Sequence, residues 1–249
     1  LLRDPPTSID VLLMEGTNIR PDGGDLDRGL AETDVEHACV ETFRATRGIV
    51  LACFSPQNID RLVTIYRAAI RSGRDLVLDL YGAAVAAATG RETIPQAQWD
   101  RVRVYLPNSQ RARVIKSGEF HRTDAIRPER IYPEEIAQRG SRLVMTFRLS
   151  MGRELEKAGC LDGAHAVWSM WPGYLKETSG EKLRSFLDDR GIGVSIHHAS
   201  GHAYVQDLER LAEALAPSQI VPIHTFGGHR ATKLFPRVLA HGDGVWWRV

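Results

Sequence analysis

Short apolar runs recur along this chain with helix-patterned segments between them, and that alternation constrains the fold more than any other feature. The runs at residues 9–14, 49–54, 75–80, 102–106, 141–147, 164–169, 192–196 and 219–223 are bounded by turn or polar residues and suit strands buried on both faces. Helices are expected between them. TDVE at 33–36 has the spacing of a capping box, so a helix should run from about Asp34 until Gly48 stops it. In SPQN at 55–58, Ser55 reads as the N-cap and Pro56 as the first helical residue, with Gly73 as the stop. Further helices are expected at 83–89, 151–159, 181–190 and 205–214. Asp243-Gly244 reads as a turn before a last strand at 245–249. Strand, helix and strand in this rhythm give an α/β protein with a mainly parallel sheet flanked by helices.

A chain of 249 residues, 43% apolar and 25% charged, has enough apolar material for one large or two ordinary domains. No segment approaches the roughly 20 consecutive apolar residues of a membrane-spanning helix, and no leader pattern opens the chain, so the expected location is cytoplasmic. Cys39, Cys53 and Cys160 are odd in number and widely spaced, which argues against a disulfide framework and for buried small side chains. The net charge of +1 makes no global case for a polyanion partner. Locally, residues 101–130 hold eight Lys or Arg against three acids, either a phosphate-facing surface or a solvated face.

Polar clusters follow three of the strands: Glu15 after the first, His198 and His202 after the run at 192–196, and His224 after the run at 219–223. Ligands gather beyond the carboxyl ends of parallel strands, because loops and helix N-termini converge there. Gly201 allows close backbone approach just before a helix whose free amides favour an anion, so a phosphate could rest on residues 200–203. His224 lies 22 residues beyond His202, the length of one helix plus one strand, so both imidazoles can emerge at one sheet edge. Neutral imidazole is the commonest metal ligand, and a carboxylate such as Glu15 would fix the tautomer of a neighbouring His. Trp168, Trp171, Trp246 and Trp247 read as packing residues before base-stacking ones.

MEGT at 14–17, HASGHA at 198–203 and VPIH at 221–224 resemble the A, B and C signatures of the β-CASP branch of the metallo-β-lactamase family, which includes ribonuclease J and other RNA-processing nucleases. KLFP at 233–236 and Asp243-Gly244 are similar to the closing segment of bacterial members. The resemblance implies a partial metallo-β-lactamase αββα sandwich made of residues 1–22 and 191–249, with a β-CASP insertion domain at 23–190. It implies His224 as a zinc ligand in a two-zinc centre, His202 as a phosphate contact and general acid, and Glu15 as the carboxylate bonded to His202. His198, Ser200 and Gly201 would cradle the scissile phosphate, and Ser55 with Asn58 would hold another phosphate of the strand. The family's HxHxDH motif, a further His and a bridging Asp have no counterpart in residues 1–249. The expectation is therefore part of a zinc-dependent nuclease acting on RNA in preference to DNA, inactive as this chain alone because one imidazole does not hold zinc. A homodimer is implied, and an exposed apolar face is expected where half of the sandwich would lie. The alternative is a metal-free nucleic-acid or phosphate-binding module of the same fold.

Overall fold

The computed structural model of the chain describes residues 2–23 and 30–248. It divides into two compact units, Leu30–Ala199 and a second made of Leu1–Gly29 with Ser200–Val249.

The Leu30–Ala199 unit is built on a six-stranded parallel sheet. Its strands are β2 (Val50–Cys53), β3 (Asp75–Asp79), β4 (Val102–Tyr105), β5 (Leu143–Thr146), β6 (His165–Trp168) and β7 (Gly193–Ile196), in the order β4-β3-β5-β2-β6-β7. All five pairings are parallel. Side chains alternate across a strand, so the wholly buried β2 feeds two cores. Val50 and Ala52 meet Phe43 of α1 (Glu32–Ala45), Leu62 and Ile65 of α2 (Ile59–Arg71) and Ala83 of α3 (Leu80–Ala88). Val114 of α4 (Asn108–Ser117) closes this core, and the short α5 (His121–Asp124) follows. Leu51 and Cys53 point the other way. They meet Ile136 of α6 (Pro133–Arg139), Met151 and Leu155 of α7 (Leu149–Lys157) and Leu187 of α8 (Thr178–Asp188). Each large apolar side chain so buried contributes about 1.5–3 kcal/mol, which is why continuous apolar runs in the sequence become central strands.

Two local readings are corrected. Asn58, not Ser55, caps α2: its Oδ1 accepts the Arg61 amide at 3.0 Å, while Ser55 and Pro56 form a preceding turn closed by Asn58 N donating to Ser55 O. The α1 helix starts at Glu32, and Asp34 Oδ2 accepts the Ala31 amide at 2.8 Å, leaving Thr33 inside the first turn. The boundary expected at 190/191 also moves. Strand β7 pairs with β6 from His165↔Gly193 to Trp168↔Ile196, so this parallel ladder keeps residues 193–196 with the larger sheet and the division falls after Ala199.

The smaller unit pairs β1 (Val11–Glu15) in parallel with β8 (Gln219–Ile223), Val11 opposite Gln219 and Glu15 opposite Ile223. Met14 and Ile220 pack with Leu208 and Ala212 of α9 (Val205–Leu215) and with Ala231 of α10 (Gly228–Leu234). Leu13 and Ile223 stand 55% and 44% exposed. Residues 245–248 form no strand, and Val249 lies outside the described residues. Trp168 is a core residue, Trp171 packs edge-on against Tyr174, Trp247 stacks on His241, and Trp246 is 99% exposed. The three cysteines are free and buried, and burial pushes the thiols of Cys39 and Cys53 up to about 12. Among the described residues no helix is long and apolar enough to cross a membrane.

Candidate active site

The parallel pairing of β1 and β8 sets Glu15 beside the end of β8, and Gly16 N donates to Ile223 O at 3.1 Å to hold the two exits in register. His224 follows directly with φ 52°, a left-handed conformation that costs a residue with a Cβ about 1–3 kcal/mol and persists only where its surroundings impose it. Those surroundings are visible. Thr225 Oγ1 accepts from Gly227 N at 2.9 Å, and a Cβ on Gly227 would lie 2.3 Å from Ile19 O, so the 224–227 turn admits little but its own sequence.

His202 arrives from the other side. Asn18, itself buried, donates from Nδ2 to Ala203 O at 2.9 Å and to His202 O at 3.3 Å, while Ala203 N donates to Glu15 Oε1 at 2.7 Å. The His202 Nδ1 atom then lies 3.1 Å from Glu15 Oε2, and the His202 and His224 rings stand 5.2 Å apart. Thr17 ties the group together. Its amide donates to Glu15 Oε2 at 3.1 Å, and its hydroxyl lies 3.2 Å from His202 Nδ1 and 3.1 Å from His224 Nδ1. With both Nδ1 atoms turned inward, each ring offers Nε2 outward, and among the described residues neither Nε2 has a hydrogen-bond partner.

Burial of the Glu15 carboxyl pulls its pKa up, but donation from Thr17 and Ala203, with the adjacent His202, more than offsets this and holds it below the usual carboxylate range. Glu15 is thus a carboxylate acceptor at neutral pH. Its contribution to stability is present above the ordinary carboxyl pKa near 4.5 and is lost as pH falls through the lower folded value.

The donor atoms of Glu15, His202 and His224 all lie within 4.8 Å of one another. Two imidazoles and a carboxylate are a zinc donor set in kind. The carboxylate is largely committed, however, since each of its oxygens already accepts a backbone amide. His224, with Nε2 outward and Nδ1 held by a hydroxyl, has the ligand arrangement of a metal-binding His, and Glu15 with His202 has that of a hydrogen-bonded acid/base pair.

Ser200 accepts the His202 amide at Oγ, 3.2 Å away, and Gly201 has open space where a Cβ would lie. Its lack of a side chain therefore serves nothing in the packing of this unit. His198, Ser55 and Asn58 belong to the Leu30–Ala199 unit. There Asn58 is spent on capping α2 and Ser55 is exposed. His198 is half-buried beside Arg61 and Glu32, and its Nδ1 has no partner among the described residues.

Sequence reasoning passed over Arg61, which is completely buried. It donates to both Glu32 oxygens at 2.6 and 3.0 Å, to Ser169 Oγ at 2.6 Å and to Ser169 O at 2.8 Å, and it reaches the carbonyls of His197 and Ala199 at 3.5 Å. It fixes the backbone on either side of His198. Thr17, although the last residue of the MEGT signature, had no role assigned to it and Asn18 was missed, because only the β1–β8 pairing brings them to residues some 185–207 positions away.

Three histidines of this unit respond to pH together. Burial lowers the pKa of His165, of His197 and, with Arg61 beside it, of His198. The folded state therefore resists protonation that the unfolded chain accepts near pH 6.5, so stability is flat above that pH and declines below it until the folded values are passed. Urea titrations between pH 8 and 5.5 should show this decline, and the H165Q/H197Q double variant should flatten it; an equal decline in the variant would refute the assignment.

Residues 194–228, which span β7, α9, β8 and the start of α10, match the family model described as Zn-dependent metallo-hydrolase RNA specificity domain. With the parallel α/β architecture, this match supports the metallo-β-lactamase class of fold. Among solved structures the chain is similar to a protein of unknown function from Enterococcus faecalis V583, with a TM-score of 0.62 and 18% identity over 95% of this chain. That likeness concerns the fold alone. The chain spans 50% of the length of that protein. No curated protein matches.

Proposed function

We propose that this chain is the part of a β-CASP metallo-hydrolase, similar to ribonuclease J, that supplies one zinc ligand and the acid/base pair for cleaving RNA phosphodiester bonds in the cytosol. The observation that carries the reading is the convergence of Glu15, His202 and His224 around the Thr17 hydroxyl. His224 would hold the metal as one of its ligands. Zinc, when bound, supplies a Lewis acid and an activated water for attack on phosphorus.

The chain's own residues do the rest. Glu15 accepts from His202 Nδ1–H, which sets the tautomer. His202 Nε2–H then faces outward to donate a proton to the departing oxygen. Ser200 and Gly201 are assigned to the phosphate being cut. The inactivity expected of residues 1–249 alone follows from a single imidazole ligand.

The test is the His202→Asn variant in the polypeptide that carries the complete ligand set. Zinc content should be unchanged while single-turnover RNA cleavage falls about 10²–10⁴-fold, the contribution of a general acid. Undiminished cleavage would remove the assignment. A second reading, a metal-free phosphate-binding module, is favoured by the commitment of both Glu15 oxygens to backbone amides. It requires that the complete polypeptide bind RNA without zinc and cleave none.

A further inference from the structure

The basic tract at residues 101–130 divides in two once its partners are traced. Arg101, Arg103 and Arg122 are neutralised by Asp75, Glu129 and Glu119, and Arg130 lies over the Tyr132 ring, 4.9 Å from its centre. Arg111, Arg113, Lys116 and Arg127 are exposed, and among the described residues none of them takes part in an ion pair. The first three lie on α4, which contains no acid. Arg111 shares a cavity wall with Glu134 and Glu154, so the unbalanced charge rests on Arg113 and Lys116. These two are three residues apart and so share one side of the helix.

Helix α4 is exposed around most of its circumference: Val114 is its one buried side chain, and no side chain caps its N-terminus. Like charges one turn apart on a helix repel, and an acid three or four residues away ordinarily offsets them. Within α4 the positions so placed around Arg113 and Lys116 hold Ser109, Gln110, Ala112 and Ser117 instead. The chain therefore carries a repulsion that an anionic partner would remove. Ile115, 58% exposed, is the only large apolar group that α4 exposes, so the helix lacks the continuous apolar face by which a helix lies in a membrane surface. A phosphodiester strand fits better, because each phosphate meets an exposed cation by releasing counterions and needs no apolar burial.

We infer that the exposed side of α4 is a contact surface for the backbone of the RNA strand, with Arg113 and Lys116 each answering one phosphate whatever the base sequence. The inference rests on the RNA reading of the protein but on none of the residues assigned to cleavage. The contact raises affinity and takes no part in breaking the bond.

The test is fluorescence anisotropy with oligouridylate over a range of salt, in the polypeptide that carries the complete ligand set, with a chelator present so that the strand stays intact. R113Q/K116Q is compared with K182Q/R184Q, which removes the same charge from α8, a helix whose two cations are balanced by Glu181 and Asp188. R113Q/K116Q should weaken binding roughly tenfold or more and reduce the salt slope by about 1.4, two single-strand phosphate contacts at about 0.7 each. R113K/K116R should restore both, and K182Q/R184Q should change neither. All four positions are exposed, so the variants should keep the circular dichroism of the wild type. Equal losses in K182Q/R184Q, or no loss in R113Q/K116Q, would overturn the surface and leave the cleavage reading intact. Phosphatidylserine vesicles or polyglutamate bound by the wild type and lost in R113Q/K116Q, with RNA affinity unchanged, would assign α4 to a membrane or an acidic protein and also overturn it. Failure of the His202→Asn experiment with the anisotropy result as expected would remove the cleavage reading alone, and absence of any RNA binding would remove both.

Discussion

Replacing Arg61 with Met should lower the unfolding free energy of the Leu30–Ala199 unit by about 3 kcal/mol, near the lower end of the range for breaking a buried ion pair. The lower end applies because the Glu32 side chain keeps 37% of its surface in solvent and can be partly rehydrated. The loss has two parts. Glu32 retains only the Thr64 hydroxyl, at 2.7 Å, and Ser169 O loses its cationic donor inside the unit. Urea unfolding followed through the buried Trp168 measures the change. The Glu32→Gln variant should cost less, because an amide oxygen still accepts from the guanidinium. A value for Arg61→Met within 1 kcal/mol of the wild type would mean that the guanidinium is not the anchor described. The same substitution frees the carbonyls of His197 and Ala199.

His224→Ala is expected to have the larger functional effect. Residues that only orient a metal-bound His typically cost about 10–100-fold in metal affinity when removed, and a direct ligand should exceed that. Zinc content and RNA cleavage should therefore fall together, by at least about 100-fold, in the polypeptide with the complete ligand set. Thr17→Val, which removes the hydroxyl at His224 Nδ1, should stay within the 10–100-fold range. The contrast with His202→Asn is the informative part: one variant loses metal and activity, the other activity alone. If His224→Ala kept its zinc, the imidazole would have to be reassigned to contact with substrate.

Much of this arrangement was legible in the sequence because apolar runs must be buried. The run at 219–223 is a strand over those same residues, and the run at 49–54 contains the strand whose alternating side chains feed both cores. Glu15 and His224 could be brought together on paper because parallel strands present their ends at one edge, but the expectation that His202 follows a strand of that same sheet is corrected: β7, the strand before it, belongs to the six-stranded sheet. What escaped notice depends on groups with no pattern of their own. Thr17 acquires its role only when two imidazoles arrive on either side of its hydroxyl. Arg61 occupies a helix position that charge alone would send to solvent, and its burial becomes reasonable only once a carboxylate, a hydroxyl and several carbonyls surround it. The helix cap fell to Asn58 because Ser-Pro can open a helix or close a turn, and the turn won. The strand at 193–196 was placed on the wrong side of the division because its partner, β6, is invisible to local pattern.

The pairing of β1 with β8 joins stretches of chain about two hundred residues apart. Closing so long a flexible segment is entropically unfavourable, and the penalty shrinks once the intervening residues have become compact. Residues 30–199 have two cores of their own and so can collapse before the ends meet. The cluster around Thr17 therefore forms late, only after His224 has been made and the residues between have become compact.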